Sequence, residues 1–148
     1  MHTNEEEKPD KKVREIMSRP IITEDEYVSV TEVVKDMAEL SIGSVVITSG
    51  GKPAGIITER NIVLKVLLEN KRASEIKAKE IMSSPLITIE PDAPLEKACE
   101  LMTEKGIRRL PVIEDDKLVG IISVRNILTL KPEYVKKFYP EVHLLASG

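Results

Sequence analysis

The stretch GIITERN, Gly55 to Asn61, decides the reading of this chain, because sixty-five residues later GIISVRN runs from Gly120 to Asn126. Each is an apolar run that closes on a hydroxyl residue, an arginine and an amide. Laid over itself at that offset, the chain aligns residues 15–63 with 80–128 without a gap. Seventeen of these 49 pairs are identical, where average composition predicts about three. They include EIMS (Glu15 to Ser18, Glu80 to Ser83), Pro20 with Pro85, Ile22-Thr23 with Ile87-Thr88, Met37 with Met102, Ile42 with Ile107 and Lys52 with Lys117. A self-match at one fixed period marks a supersecondary unit used more than once. Two copies are too few for a solenoid, and about 50 residues alone bury little surface. The expectation is two copies packed face to face, sharing a core about a pseudo-twofold axis.

Each copy reads β-α-β-β-α, an α/β unit. PIIT and PLITI are short apolar runs behind a proline and predict strands. Ser29 and Glu32 in SVTE predict a capping box, and Pro94 suits the first position of the matching helix. Apolar residues at helical spacing follow: Val30, Val33, Val34 and Met37, then Leu95, Ala98, Cys99 and Met102. SVVITSGGKPAGIIT predicts a hairpin turning at Gly50-Gly51, and LPVIEDDKLVGII one turning at Asp115-Asp116. The unbroken apolar runs Val45 to Ile47 and Ile56-Ile57 predict a sheet covered on both faces. A second helix starts at Thr58 and at Ser123, and Pro132 ends or kinks it in the second copy. The domain reading is a disordered charged arm over 1–12, a first repeat over 13–70, a linker over 71–77, a second repeat over 78–130 and a C-terminal helix or tail over 131–148. In that tail Tyr134, Val135, Phe138 and Tyr139 share one side, suited to docking on the core or on a neighbour.

Composition narrows the function classes. The 148 residues are 41% hydrophobic and 32% charged, with net charge -3 and a sequence pI near 5.6. That balance gives no long-range pull toward nucleic acid or anionic membrane. No apolar run approaches the roughly 20 residues of a membrane span, and the N-terminus lacks the apolar core of a signal peptide. One cysteine excludes an internal disulfide framework and a cysteine-cluster metal site, so the expected compartment is the cytoplasm. His2 and His143 lie in opposite tails and suggest no metal site. Nucleophilic catalysis needs a base beside the nucleophile, and no Ser-His or Cys-His pairing is evident; the chain reads as a non-enzyme. Cys99, Met37 and Met102 read as core packing. Met17 and Met82 read as packing or as cleft lining, and Asp115-Asp116 as a solvated turn.

The residues EIMSRPIIT, EIMSSPLIT, EKGIRRLPVIEDDKLVGIIS and the two segments of the form Gly-apolar-apolar-Thr/Ser-x-x-Asn closely resemble the CBS domain, named after cystathionine β-synthase. The tandem arrangement resembles a CBS pair, or Bateman module, over residues 13–130. The resemblance implies two repeats packed through their sheets, and association of two such pairs into a flat dimer. Nothing remains for a catalytic or transport domain, so a stand-alone regulatory module is expected.

The heptapeptide has chemistry of its own. Thr58 and Ser123 are good N-caps. Helix N-termini favour anions, and Gly55 and Gly120 let other groups approach closely. Arg60 and Arg125 offer forked donors. Asn61 and Asn126, three residues past the cap, have amides suited to sugar hydroxyls. A cap followed by two solvated polar residues is equally how many helices begin. The resemblance adds ligand sets: in CBS pairs that bind adenosine compounds, the hydroxyl of this motif meets phosphate, its terminal Asp grips ribose, and adenine lies beside the first strand of the other repeat. Carried over, one cleft combines Thr58, Arg60 and Asn61 with Ile87, Thr88, Ile89, Arg108 and Arg109. The other combines Ser123, Arg125 and Asn126 with Ile22, Thr23, Glu24, Ser44 and Val45. The two arginines of GIRRLP make the first cleft the better phosphate site. Asn61 and Asn126 depart from the family's Asp and give up a charge-assisted bond of about 1 kcal/mol or more. The implied function is sensing of an adenine nucleotide (AMP, ADP, ATP or a related adenosyl ligand) by a homodimer that controls another protein. The alternative is a ligand-free interaction scaffold.

Overall fold

The computed structural model describes residues 11–19 and 21–140. In chain order the elements are α1 (Val13–Ile16), β1 (Thr23–Asp25), α2 (Val30–Leu40), β2 (Ser44–Ser49), β3 (Lys52–Thr58), α3 (Glu59–Ile62), α4 (Ala78–Ile81), α5 (Leu95–Lys105), β4 (Arg109–Glu114), β5 (Lys117–Ser123), α6 (Val124–Leu130) and α7 (Val135–Phe138). A π-helical turn, Val63–Leu67, prolongs α3, and 3-10 turns cover Ala73–Glu75 and Pro132–Tyr134. They divide into two compact units. A first-repeat unit takes 20–87 with 115–118; a second-repeat unit takes the chain up to Arg19, 88–114 and 119 onward. The arm over 1–10, both histidines and the tail beyond 140 lie outside the described residues, whereas Lys11 and Lys12 belong to the second-repeat unit.

In the first-repeat unit β1 pairs parallel with β2, and β2 antiparallel with β3. The turn between β2 and β3 puts Gly50 and Gly51 at φ 59° and 83°, a left-handed backbone that glycine adopts without Cβ cost. Val30 and Val33 of α2 close over Val45, Ile47 and Ile57 of the sheet. Burying five such side chains contributes about 1.5–3 kcal/mol each before entropy is counted. The same core takes in Ala78 and Ile81 of α4, which belong by sequence to the second copy. The Ala78 amide donates to the Val28 carbonyl at 2.8 Å, and Ile56 and Ser83 exchange backbone bonds of 3.1 and 2.9 Å.

The second-repeat unit repeats the scheme. Leu95, Ala98, Cys99 and Met102 of α5 are buried, as are Leu110, Val112 and Ile122 of β4 and β5. Here the completing piece is α1, from the first copy. Val13 is fully buried, its amide donates to Ala93 at 2.9 Å, and Ser18 and Ile121 exchange bonds of 2.7 and 3.2 Å. Each EIMS segment therefore completes the unit of the other copy. The short helix after Pro132 forms as expected, with Tyr134, Val135, Phe138 and Tyr139 half-buried.

Three local expectations are corrected. The strands predicted at PIIT and PLITI begin later: β1 starts at Thr23, opposite Val46, and the second copy makes a single bridge, Ile89 with Val112. Pro85 has no N–H to donate to a ladder. The capping box of Ser29 and Glu32 is not formed, since the Ser29 side chain makes no cap bond. The Glu32 amide that such a box serves donates to the Ser29 backbone carbonyl at 3.0 Å, and the first helical amide, Val30, donates to the Ile76 carbonyl at 2.9 Å. Pro94 is the N-cap rather than the first helical residue, and the Leu95 amide donates to Lys11. In both copies chain from outside the repeat body accepts from the first helical amide, one of the orphan donors of a helix N-terminus.

Candidate functional site

Both heptapeptides turn from strand into helix at their hydroxyl residue. Thr58 Oγ1 accepts from the Asn61 amide at 3.4 Å, and Ser123 Oγ from the Asn126 amide at 3.1 Å. Each asparagine returns the bond. Asn61 Oδ1 accepts from Thr58 N and Oγ1 at 2.7 and 2.9 Å; Asn126 Oδ1 accepts from Ser123 N and Oγ at 2.8 and 2.9 Å. The predicted cap is present, closed by asparagine in the place of the glutamate of an ordinary capping box.

The other end of each amide points inward. Asn61 Nδ2 donates to the Ile81 carbonyl at 3.1 Å and to Ser83 Oγ at 3.0 Å, and Lys65 Nζ reaches the same carbonyl at 3.2 Å. All four hydrogen-bonding positions of the Asn61 side chain are filled by the protein, and the residue is 7% exposed. Asn126 Nδ2 makes one bond, to Ser18 Oγ at 3.1 Å, and the residue is half-buried. Ser18 and Ser83 were not among the expected site residues; their recurrence in EIMS was the signal. The glycines face the same segment. A Cβ on Gly55 meets Met82 Sδ at 2.6 Å and the Ser83 carbonyl oxygen at 2.9 Å, while the three atoms nearest to one on Gly120 all belong to the Met17 side chain. The close approach read from Gly55 and Gly120 is thus an approach of methionine, which assigns Met17 and Met82 to packing.

The remaining expected residues fall into two groups. The first-repeat unit holds Ile22, Thr23, Glu24, Ser44, Val45, Thr58, Arg60, Asn61 and Ile87; the second-repeat unit holds Thr88, Ile89, Arg108, Arg109, Ser123, Arg125 and Asn126. Ser44 is the register partner of Thr58. Val45 and Ile89 are buried, whereas Thr23, Thr88, Arg60, Arg108 and Arg125 are exposed and Arg109 is half-buried. Among the described residues none of these four arginines makes an ion pair. Arg14, by contrast, lies 3.0 Å from Asp92 and 2.9 Å from Glu114. Hydrogen bonds with Arg14 hold the Asp92 carboxyl below its usual range. The Arg108 carbonyl accepts from the Val124 amide at 2.9 Å, and its guanidinium carbon sits 4.6 Å from the centre of the Tyr139 ring.

Glu24 is held up at about 7, first by a hydrogen bond shared with Asp36 and then by burial. Asp36 Oδ2 is buried and finds no donor while both groups are ionised. A protonated Glu24 carboxyl has an O–H to offer it. Among the described residues no group of three or more His, Cys, Asp or Glu side chains could hold a metal ion, and no helix is long and apolar enough to cross a membrane.

The family model for the CBS domain matches this chain twice, over residues 13–68 and 78–133. The chain belongs to the CBS domain family. As a CBS domain pair it is a regulatory module. It is 42% identical over 139 residues to protein MK0525 of Methanopyrus kandleri, covering 88% of this chain and 71% of that one. Among solved structures it is similar to the CBS domain pair of protein MJ0100 in complex with 5′-methylthioadenosine and S-adenosyl-L-methionine. That match has a TM-score of 0.76 and 31% identity, covering 84% of this chain and 98% of that one. A hexameric CBS-CP12 protein from bloom-forming cyanobacteria is similar at a TM-score of 0.78 and 30% identity, covering 91% and 74%.

Proposed function

We propose that this CBS domain pair is a non-enzymatic cytoplasmic sensor of adenine nucleotides or a related adenosyl ligand, working as a homodimer on a second protein. One observation carries the reading: a CBS pair 31% identical to it is solved with two adenosyl ligands bound. The four arginines without carboxylate partners among the described residues, Arg60, Arg108, Arg109 and Arg125, support a ligand that bears phosphate, since a guanidinium forks onto phosphate oxygens. Thr58, Ser123, Thr88 and the β1 residues Thr23 and Glu24 are proposed to contact the rest of it. Homodimer formation is supported by the exposed Val63, Leu64, Leu67 and Leu68 on α3 and the turn that follows.

The filled hydrogen-bonding positions of Asn61 favour a second reading, an interaction scaffold in which this residue serves the fold alone. Thermal unfolding in the presence of adenosine, 5′-methylthioadenosine, S-adenosylmethionine, AMP, ADP and ATP separates the two. A ligand at 100 times its dissociation constant stabilises the folded state by about 2.7 kcal/mol. No shift with any of the six leaves the scaffold.

A further inference from the structure

Arg108 differs from every other arginine in the expected ligand set. The matching residue of the first copy is Gly43, so only the second-repeat unit places a guanidinium at the loop that enters β4. Its main chain is fixed by the Val124 amide on its carbonyl. Its side chain is exposed, has no carboxylate partner among the described residues, and lies against the face of Tyr139. A ring face holds a guanidinium through its quadrupole and uses none of its N–H donors. Among the described residues the five donors of Arg108 therefore remain available at its edge.

Tyr139 is itself tied down. It follows α7, which packs on α5, and Tyr134 just upstream donates to Glu96 Oε1 of α5 at 3.0 Å. Lys137 reaches Glu96 Oε2 at 3.5 Å. The short segment that carries the ring is thus anchored to α5, and the Tyr139 amide donates to the Val135 carbonyl at 2.8 Å. Holding a long side chain in one place removes the rotamer cost that an arginine otherwise meets on capturing an anion.

We propose that Tyr139 is a positioning residue that holds Arg108 ready for a phosphate group, and that docking of the segment 132–139 and phosphate binding at Arg108 reinforce one another. The inference rests on the adenosyl reading for its ligand and makes that ligand phosphate-bearing; its mechanism needs only the phosphate. By linkage, an anion that gains from the stacked arginine also stabilises the stack.

The test measures binding of ATP, adenosine and inorganic pyrophosphate by calorimetry to the full chain and to Tyr139→Ala, Tyr139→Phe and Arg108→Ala. Amide exchange over residues 132–139 is followed with and without pyrophosphate. Tyr139→Ala is expected to weaken ATP and pyrophosphate about two- to fivefold, the size of one cation–ring contact, and to leave adenosine unchanged. Tyr139→Phe keeps the ring face and restores binding, and pyrophosphate slows exchange of the segment in the unaltered chain but not in Arg108→Ala. Equal losses for ATP and adenosine, or tighter phosphate binding in Tyr139→Ala, overturn the proposal, the latter because the ring then competes with the anion. Pyrophosphate binding of this pattern with no response to any adenine compound upholds Tyr139 and ends the adenosyl reading. Adenosine binding with no phosphate preference does the reverse.

Discussion

The two units are built from the same repeat, yet the same joint is tight in one and loose in the other. In the first-repeat unit Asn61 is buried, makes two inward bonds and shares the Ile81 carbonyl with Lys65. In the second, Asn126 is half-buried and makes one, to a serine hydroxyl, and Leu130 replaces the lysine. Outside the joint the balance reverses. Arg14 ties α1 to Asp92 and Glu114, whereas the matching Lys79 lies 5.0 Å from the ring of Tyr27. One copy secures its borrowed segment from within and the other from the surface. Equivalent mutations should therefore have unequal effects.

The largest inequality is expected at the glycines. Gly55→Ala drives a Cβ against the Ser83 backbone oxygen as well as Met82, and overpacking of that kind costs about 1–3 kcal/mol, here at the upper end. The atoms nearest to a Cβ in Gly120→Ala are those of the Met17 side chain, which rotates aside at about 1 kcal/mol. Urea unfolding of the two variants measures the difference; equal losses would show that backbone proximity at Gly55 does not matter. Next come the amides. Asn61→Asp sets a carboxylate oxygen against the buried Ile81 carbonyl and costs about 2 kcal/mol. Asn126→Asp faces a hydroxyl that can turn and donate, and costs less than about 1 kcal/mol. If both prove neutral, the inward bonds contribute nothing and the contrast between the joints disappears.

The smallest expected effect depends on pH and belongs to one unit only. Glu24 and Asp36 of the first copy correspond to Ile89 and Leu101 in the second. Because folding raises the Glu24 carboxyl to about 7, its contribution is complete below the ordinary carboxyl range. It is lost as pH climbs through 7. Discounted for its partial exposure, the change between pH 5 and 8 is about 1 kcal/mol. Glu24→Gln should flatten the urea midpoint across that range; an unchanged slope would show that Glu24 does not carry the dependence.

The repeat, both hairpins and both helix starts were legible because each depends on local chemistry: glycine at positive φ, a hydroxyl at the cap, apolar residues at a fixed period. Ser29 and Glu32 misled for the opposite reason. Their capping pattern is complete in sequence, but the Glu32 amide bonds the Ser29 backbone carbonyl rather than its hydroxyl, while the helix start is fixed by a bond from Val30 to the distant Ile76 carbonyl. Asn61 and Asn126 were read as facing a sugar because position on a helix face follows from spacing. Which end of an amide finds a partner is decided by segments 20 and 108 residues away. The stack of Tyr139 on Arg108 left no sequence signal beyond the apolar side of the tail.

The trading of EIMS segments also sets where the chain can be cut. Scissors placed at the ends of the sequence repeats would strip Ala78 and Ile81 from one core and Val13 from the other. A cut after residue 87 would leave Ala78 and Ile81 with their own core, but the other core would still need the stretch up to Arg19 supplied from outside. A chain holding a single repeat would be unable to complete its own core except by trading its EIMS segment with a twin.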